Sequence, residues 1–203
     1  MYRSRALATV QAHVLCRRSP APAIVHELTP PYDVVINHRA IDTQQTVASL
    51  LYDHLRRLNL RPFLYSKNMK PGDKLPEKID RAILGCKIGV AVFSPRYCES
   101  HFCLRELAMI MESRKKVIPI FCDVKPSKLR VIDNGSVSPE EMGRFRSALE
   151  EAKYTVGFNL DSIKGNWSDV VTNAADIVID SLMEVEEEER IAQHQKSGIF
   201  SSF

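Results

Sequence analysis

Short apolar runs alternate with segments of helical period along the middle of this chain. The run Tyr32-Asp33-Val34-Val35-Ile36-Asn37 follows two prolines and reads as a buried strand. Asp42, with Gln45 three residues on, makes a capping pair for a helix that places Val47, Leu50, Leu51, Leu55 and Leu58 on one face. A short strand over 62–65, a polar loop containing Pro71-Gly72 and a helix over 76–84 come next. Residues 88–93 read as an interior strand, followed by a helix over 100–113 and a strand over 117–122. A long loop over 123–138 leads to a helix opened by Pro139 and Glu140 that reaches Tyr154, and a last amphipathic helix covers 168–182. Strands separated by helices pair in parallel through right-handed crossovers. The expected fold is therefore α/β, with its functional groups gathered at the carboxyl ends of the strands.

Composition narrows this picture. A chain of 203 residues suits one domain with tails, and 44% apolar with 26% charged residues is a globular balance that needs no metal or disulfide to build a core. No apolar run approaches the roughly 20 residues of a membrane span, and the start lacks a secretory signal. The expected location is the cytoplasm or nucleus. Five cysteines, Cys16, Cys86, Cys98, Cys103 and Cys122, form no CxxC pair and read as free thiols. On that reading the sequons at Asn134 and Asn166 are chance matches.

The net charge of +3 is unevenly spread: Arg3, Arg5, Arg17 and Arg18 precede the first acidic residue, Glu27. Residues 1–31 read as a disordered leader ending at a proline cluster, with an organelle transit peptide as the alternative. The domain proper spans 32–182. Glu184 to Glu189, interrupted by Val185 alone, begins an acidic, polar, solvated tail over 183–203. Arg114-Lys115-Lys116 reads as a solvated helix terminus. No basic, aromatic-interleaved face lies on the body of the chain, which sets nucleic acid aside as a partner.

The candidate chemistry sits where the strands end. The first strand ends at His38-Arg39 and the third at Ser94, and the next helix carries Phe102, Cys103 and Glu106. Phe102 and Glu106 are four apart on one stripe, while Leu104, Leu107, Ala108 and Met111 form the opposite, core-facing arc. Periodicity alone makes Glu106 a solvated charge and Cys103 a packed thiol. His38 and His101 lie nearby without a Ser-His-Asp arrangement, so no hydrolase triad is read here.

Four separated motifs change this reading: residues 32–43, Val92-Phe93-Ser94-Pro95-Arg96-Tyr97, Cys103-Leu104-Arg105-Glu106-Leu107, and Val117-Ile118-Pro119-Ile120-Phe121-Cys122-Asp123-Val124-Lys125-Pro126-Ser127. Together they resemble a plant Toll/interleukin receptor (TIR) domain over residues 32–182. With no GxxxxGK[ST] loop and no leucine-rich repeat, the chain is similar to the TIR-only proteins of plants. The resemblance implies a flavodoxin-like fold with a five-stranded parallel sheet flanked by helices. It also implies an activity, cleavage of the nicotinamide–ribose bond of NAD+, with NADP+ as the other candidate substrate. The products would be nicotinamide and ADP-ribose or cyclic ADP-ribose-type signals in plant immunity and cell death. No cofactor is implied.

Glu106 falls on the family's catalytic glutamate, Phe102 where a tryptophan usually packs on the nucleotide, Arg39 on the arginine after the first strand, Cys103 on the motif's cysteine and Ser94 on the serine closing the third strand. One carboxylate suffices for this chemistry, because nicotinamide departs from a cationic pyridinium and needs no proton from an acid partner. Arg39, with Lys70 and Lys74 from the loop, would neutralise the diphosphate. The resemblance further implies self-association through TIR–TIR contacts, partnership with the TIR domains of immune receptors, and completion of the site when a neighbour repositions the loop over 66–75.

Three departures stand out. The family's Arg-Gly-Glu-Asp-Thr is Arg39-Ala40-Ile41-Asp42-Thr43 here, Phe102 lacks the indole N–H of a tryptophan, and Ser49-Leu50 replaces a Ser-His pair used for self-association. Two alternative functions follow: a non-catalytic TIR–TIR adaptor, in which Glu106 is only a surface charge, and a nuclease forming cyclic nucleotides with Cys103 involved.

Overall fold

The computed structural model describes residues 31–43, 45–133 and 135–199. Its five strands are β1 (Val34–His38), β2 (Pro62–Phe63), β3 (Ile88–Phe93), β4 (Lys116–Cys122) and β5 (Phe158–Leu160). The helices are α1 (Ala40–Thr43), α2 (Val47–Arg57), α3 (Tyr65–Asn68), α4 (Leu75–Gly85), α5 (His101–Glu112), α6 (Pro139–Tyr154) and α7 (Trp167–Ile199). All strand pairs are parallel and the sheet order is β2-β1-β3-β4-β5. This is the flavodoxin-like order, whose switch point lies between β1 and β3.

Strand alternation divides the core into two layers. Val34, Ile36, Val90, Val92 and Ile120 pack with α2 and α7, while Val35, Ala91, Phe93 and Phe121 pack with α4, α5 and α6. By the same alternation Asn37 belongs on the face that meets α5. Two devices fix that helix. Ser100 caps its first turn, its Oγ accepting from the Cys103 backbone N–H at 3.3 Å. Gly89 of β3 lets it lie close: a Cβ there would sit 2.7 Å from Cγ2 of Ile110. Gly89→Ala is therefore expected to push α5 off the sheet and cost about 1–3 kcal/mol, read as a lower urea midpoint with an unchanged slope.

Several elements differ from the sequence expectation. Asp42 and Gln45 form no capping pair: α2 starts after Thr46 without a side-chain cap, and the Asp42 carboxylate turns instead to Ser94 and Arg96. The second strand is only two residues long, because Tyr65 already begins α3. The five-stranded sheet that the resemblance implies is present, but the residue pattern does not locate β5, whose three residues carry too little alternation to register.

Helix α7 continues through the acidic segment read as a tail. Its carboxylates have cationic partners, since Lys116 meets Glu184 at 2.7 Å and Lys87 meets Glu186 and Glu189 at 3.1 and 3.4 Å. Nor is the basic triplet merely solvated. Lys115 donates to the carbonyls of Leu84 and Cys86 at the end of α4. Asn166, one of the two sequon residues, caps α7 by accepting from the backbone N–H groups of Ser168 and Asp169. Asn134, Cys16 and all of the expected leader except Pro31 lie outside the described residues. No helix among the described residues is long and apolar enough to cross a membrane.

Candidate active site

At the carboxyl end of β1 the molecule holds a cavity of about 310 Å³, walled by β1, α4 and the first turns of α5. Its lining is mainly apolar, including Val35, Phe63, Leu75 and Ile79, and it brings together Arg39, Phe102, Cys103 and Glu106. Among the described residues Glu106 is the one carboxylate on its wall. An apolar cavity with a few convergent polar groups is the usual form of a small-molecule site.

Glu106 is half-buried as a whole residue, but its carboxylate end lies in the shielded part of the cavity and departs from ordinary behaviour. Burial pushes its pKa up to about 7; the hydrogen bond from Asn37 and the charge of Arg105 pull the other way, and Asp80 adds a smaller upward push. Asn37 Nδ2 donates to Glu106 Oε2 at 2.9 Å and to the Cys103 carbonyl at 3.2 Å. The fully buried Tyr97 hydroxyl donates to Asn37 Oδ1, which leaves the amide nitrogen facing the carboxylate.

Phe102 is 72% exposed at the rim, where it offers an aromatic face to anything entering. Arg39 lines the cavity, and its buried Nε has no acceptor among the described residues. A buried guanidinium nitrogen without a partner is costly in an empty site and useful in an occupied one.

Cys103 also lines the cavity, but its thiol is engaged as a donor to the His38 carbonyl at 3.4 Å, and burial pushes its pKa to about 11. The reactive thiolate is thus scarce near neutrality. His38 is buried, and burial depresses its pKa to about 4, so its ring is neutral. Thr43 donates its hydroxyl proton to the Arg39 carbonyl, so His38 Nδ1 carries the hydrogen donated to Thr43 Oγ1 at 3.0 Å.

The remaining sequence candidates stand apart from the cavity. Ser94 is buried with its hydroxyl donating to Asp42 at 2.7 Å, where it braces the Asp42–Arg96 pair. Lys74 ion-pairs with Glu77 at 3.3 Å and lines a separate, charged groove beside Pro31. The exposed Lys70 is tied into its loop through its backbone N–H, which donates to Asp73. His101 sits against Phe145 and Ser136. Among the described residues no group of three or more His, Cys, Asp or Glu side chains is arranged to hold a metal ion.

Asn37 and Tyr97 are the site residues that sequence reasoning passed over. The available signal was an amide that follows three apolar residues in a strand covered on both faces, a place where a polar group needs a partner.

Residues 31–190 match the TIR domain family. The chain is 50% identical over 163 residues to "Probable 2' cyclic ADP-D-ribose synthase BdTIR" of Brachypodium distachyon, covering 78% of this chain and 73% of that protein. It is 31% identical over 150 residues to "TMV resistance protein N" of Nicotiana glutinosa, a match covering 72% of this chain but only 12% of that protein's length. Among solved structures, the TIR domains of the activated Roq1 resistosome superpose with a TM-score of 0.64 at 27% identity, covering 72% of this chain and 99% of that one.

Proposed function

This chain belongs to the TIR domain family, and from that premise we propose that it is an NAD+ nucleosidase that cleaves the nicotinamide–ribose bond and passes the ribosyl group to water or to a hydroxyl of the same molecule. The observation that carries this reading is a carboxylate, Glu106, held in an apolar cavity beside an aromatic rim and a guanidinium, Arg39, whose buried Nε has no acceptor among the described residues. Half-identity to a protein named as a cyclic ADP-ribose synthase supports the cyclised product.

In this mechanism the C1′–N bond breaks with its electron pair moving to the pyridinium nitrogen, so nicotinamide leaves neutral and unprotonated. The ribose becomes an oxocarbenium cation. Glu106, as carboxylate, binds the hydroxyls of that ribose and stabilises the developing charge, an effect enlarged where water is excluded. Its pKa near 7 leaves it poised at neutral pH, and arrival of a cationic pyridinium favours the ionised form further. Capture of the cation by water gives ADP-ribose and a proton; capture by an internal hydroxyl gives the cyclic product and the same proton.

The cavity volume is at the small end for a ligand site and accepts the nicotinamide riboside half of the dinucleotide. The other half lies over the rim, with Phe102 against the base and Arg39 at the diphosphate. Lys70 and Lys74 join only if the loop over 69–74 moves, and Gly72 at φ +93 gives that loop a hinge. Self-association, and contact with TIR domains of immune receptors, is the event that repositions it. NADP+ is the second substrate to test.

The experiment is nicotinamide release from NAD+ and from NADP+ at several protein concentrations, with the second product identified by mass. Release that rises more steeply than protein concentration is the expected result. No release under conditions where the chain self-associates would instead make it an adaptor.

A further inference from the structure

We propose that Asn37, locked by Tyr97, is the positioning residue that holds Glu106 in its reactive form and orientation. The inference rests on the nucleosidase reading of the same cavity and deepens it. The geometry leaves little freedom. Tyr97 stands in the 3₁₀ turn Tyr97–Glu99 after β3 and is fully buried; its hydroxyl lies within reach of two acceptors, Asn37 Oδ1 by the shorter contact and the Cys103 carbonyl at 3.2 Å, and its one proton goes to the nearer, Asn37 Oδ1. The two hydrogens on Asn37 Nδ2 are then directed at Glu106 Oε2 and the Cys103 carbonyl. Asn37 itself is 1% exposed in a five-residue strand buried along its length, so neither it nor Tyr97 can exchange partners with solvent.

The chain of donors runs from strand β1 and the β3 turn into helix α5, the three elements that meet at the switch point. It does two things to Glu106. It fixes one carboxylate oxygen, leaving the other for the substrate's ribose hydroxyls. It also supplies, among the described residues, the sole hydrogen bond that opposes the cost of ionising a buried carboxylate.

The other charged groups around Glu106 are few. On α5, Arg105 is adjacent but bidentate to Asp80 of α4 at 2.8 and 2.7 Å, so its charge is largely matched. From β1 come the neutral His38 and, just beyond the strand, the cation Arg39; Cys103 stays a thiol. None of these donates a hydrogen bond to the Glu106 carboxylate among the described residues, so Asn37 cannot be replaced by a neighbour.

The test uses the full chain with carboxyl-¹³C glutamate, the Glu106 signal being identified by its loss in Glu106→Gln. Asn37→Ala is expected to move the Glu106 titration midpoint upward by about one pH unit or more, the scale of one hydrogen bond to a charged group. The acid limb of kcat/KM for nicotinamide release should move by the same amount, with the rate recovering to within about fivefold of wild type at pH 9. Tyr97→Phe should shift the midpoint the same way but less, because the freed amide can rotate. Asn37→Ser, which keeps the strand folded with a shorter polar side chain, gives the same reading if the alanine variant is unstable. An unmoved midpoint in a folded Asn37 variant overturns the proposal. The carboxyl titration needs no turnover, so a wild-type protein that fails to release nicotinamide sinks the nucleosidase reading without deciding this one.

Discussion

Replacing Glu106 with glutamine is expected to cut nicotinamide release by about a thousandfold, the scale for removing one electrostatic stabiliser of a charged transition state, and to stabilise the fold at pH 8. Both effects come from the same burial. In the native cavity the carboxyl titrates at about 7, against an ordinary value of 4.5, because its charged form is poorly solvated there. Above pH 7 the protein therefore carries a charge that costs on the order of 3 kcal/mol relative to the unfolded chain.

Glutamine keeps the volume and can still accept from Asn37 through its Oε1, but carries no charge. A gain of roughly 1–3 kcal/mol at pH 8, shrinking toward nothing at pH 4.5, should appear in urea unfolding. A destabilised glutamine variant would mean that the carboxylate is held by more than the one bond from Asn37. Wild-type turnover in a folded Glu106→Gln would remove Glu106 from the chemistry altogether.

The long elements were legible in the sequence because each carries enough periodic residues to be unambiguous. β3 is an uninterrupted apolar hexamer bounded by Lys87 and Ser94, α5 has a serine before it and a clear apolar arc, and α6 is announced by Ser138-Pro139. β2 and β5 are too short to show a period, and α7 looked as if it ended at Leu182 because partners for its acids come from Lys87 and Lys116, distant in sequence. The site divides in the same way. Phe102, Cys103 and Glu106 belong to one helix, so their spacing places them, and Arg39 follows a strand whose end was visible. Ser94, Lys70 and Lys74 also sit at strand ends or in the loop, yet which way a side chain turns there is decided by partners such as Asp42, Asp73 and Glu77. Asn37 is the opposite case: its strand position was read, but its bond to Glu106 joins residues 69 apart and depends on the β1-β3 register and on Tyr97.

His38→Leu is expected to make the protein gain stability on acidification from pH 6.5 to 4.5, whereas Glu106→Gln makes it lose stability over the same interval. His38 is held neutral, its pKa depressed by burial to about 4 from 6.5. The unfolded chain binds its proton first, so the stability His38 contributes is present above pH 6.5 and is lost as pH falls toward 4. Glu106 has the opposite sign. Its folded pKa is raised, so the native state binds the proton first, and its contribution is full below pH 4.5 and lost as pH rises through 7. Between 4.5 and 6.5 the two slopes are similar in size, each worth on the order of 3 kcal/mol in full, and they nearly cancel in the wild type. The other shifted carboxyls do not disturb this window much: Asp33, Asp42 and Asp73 are lowered from 3.8 and Glu112 from 4.5, so they lose stability mainly at or below its acid edge, equally in every variant. Losing the Thr43 bond in His38→Leu adds a constant penalty of about 1 kcal/mol that leaves the slope unchanged. Urea unfolding at pH 4.5, 5.5 and 6.5 separates these terms. Slopes of opposite sign in the two single variants, and a nearly flat double variant, are what two independent buried groups on one cavity wall require; parallel slopes in all four proteins would mean that neither group is held as described.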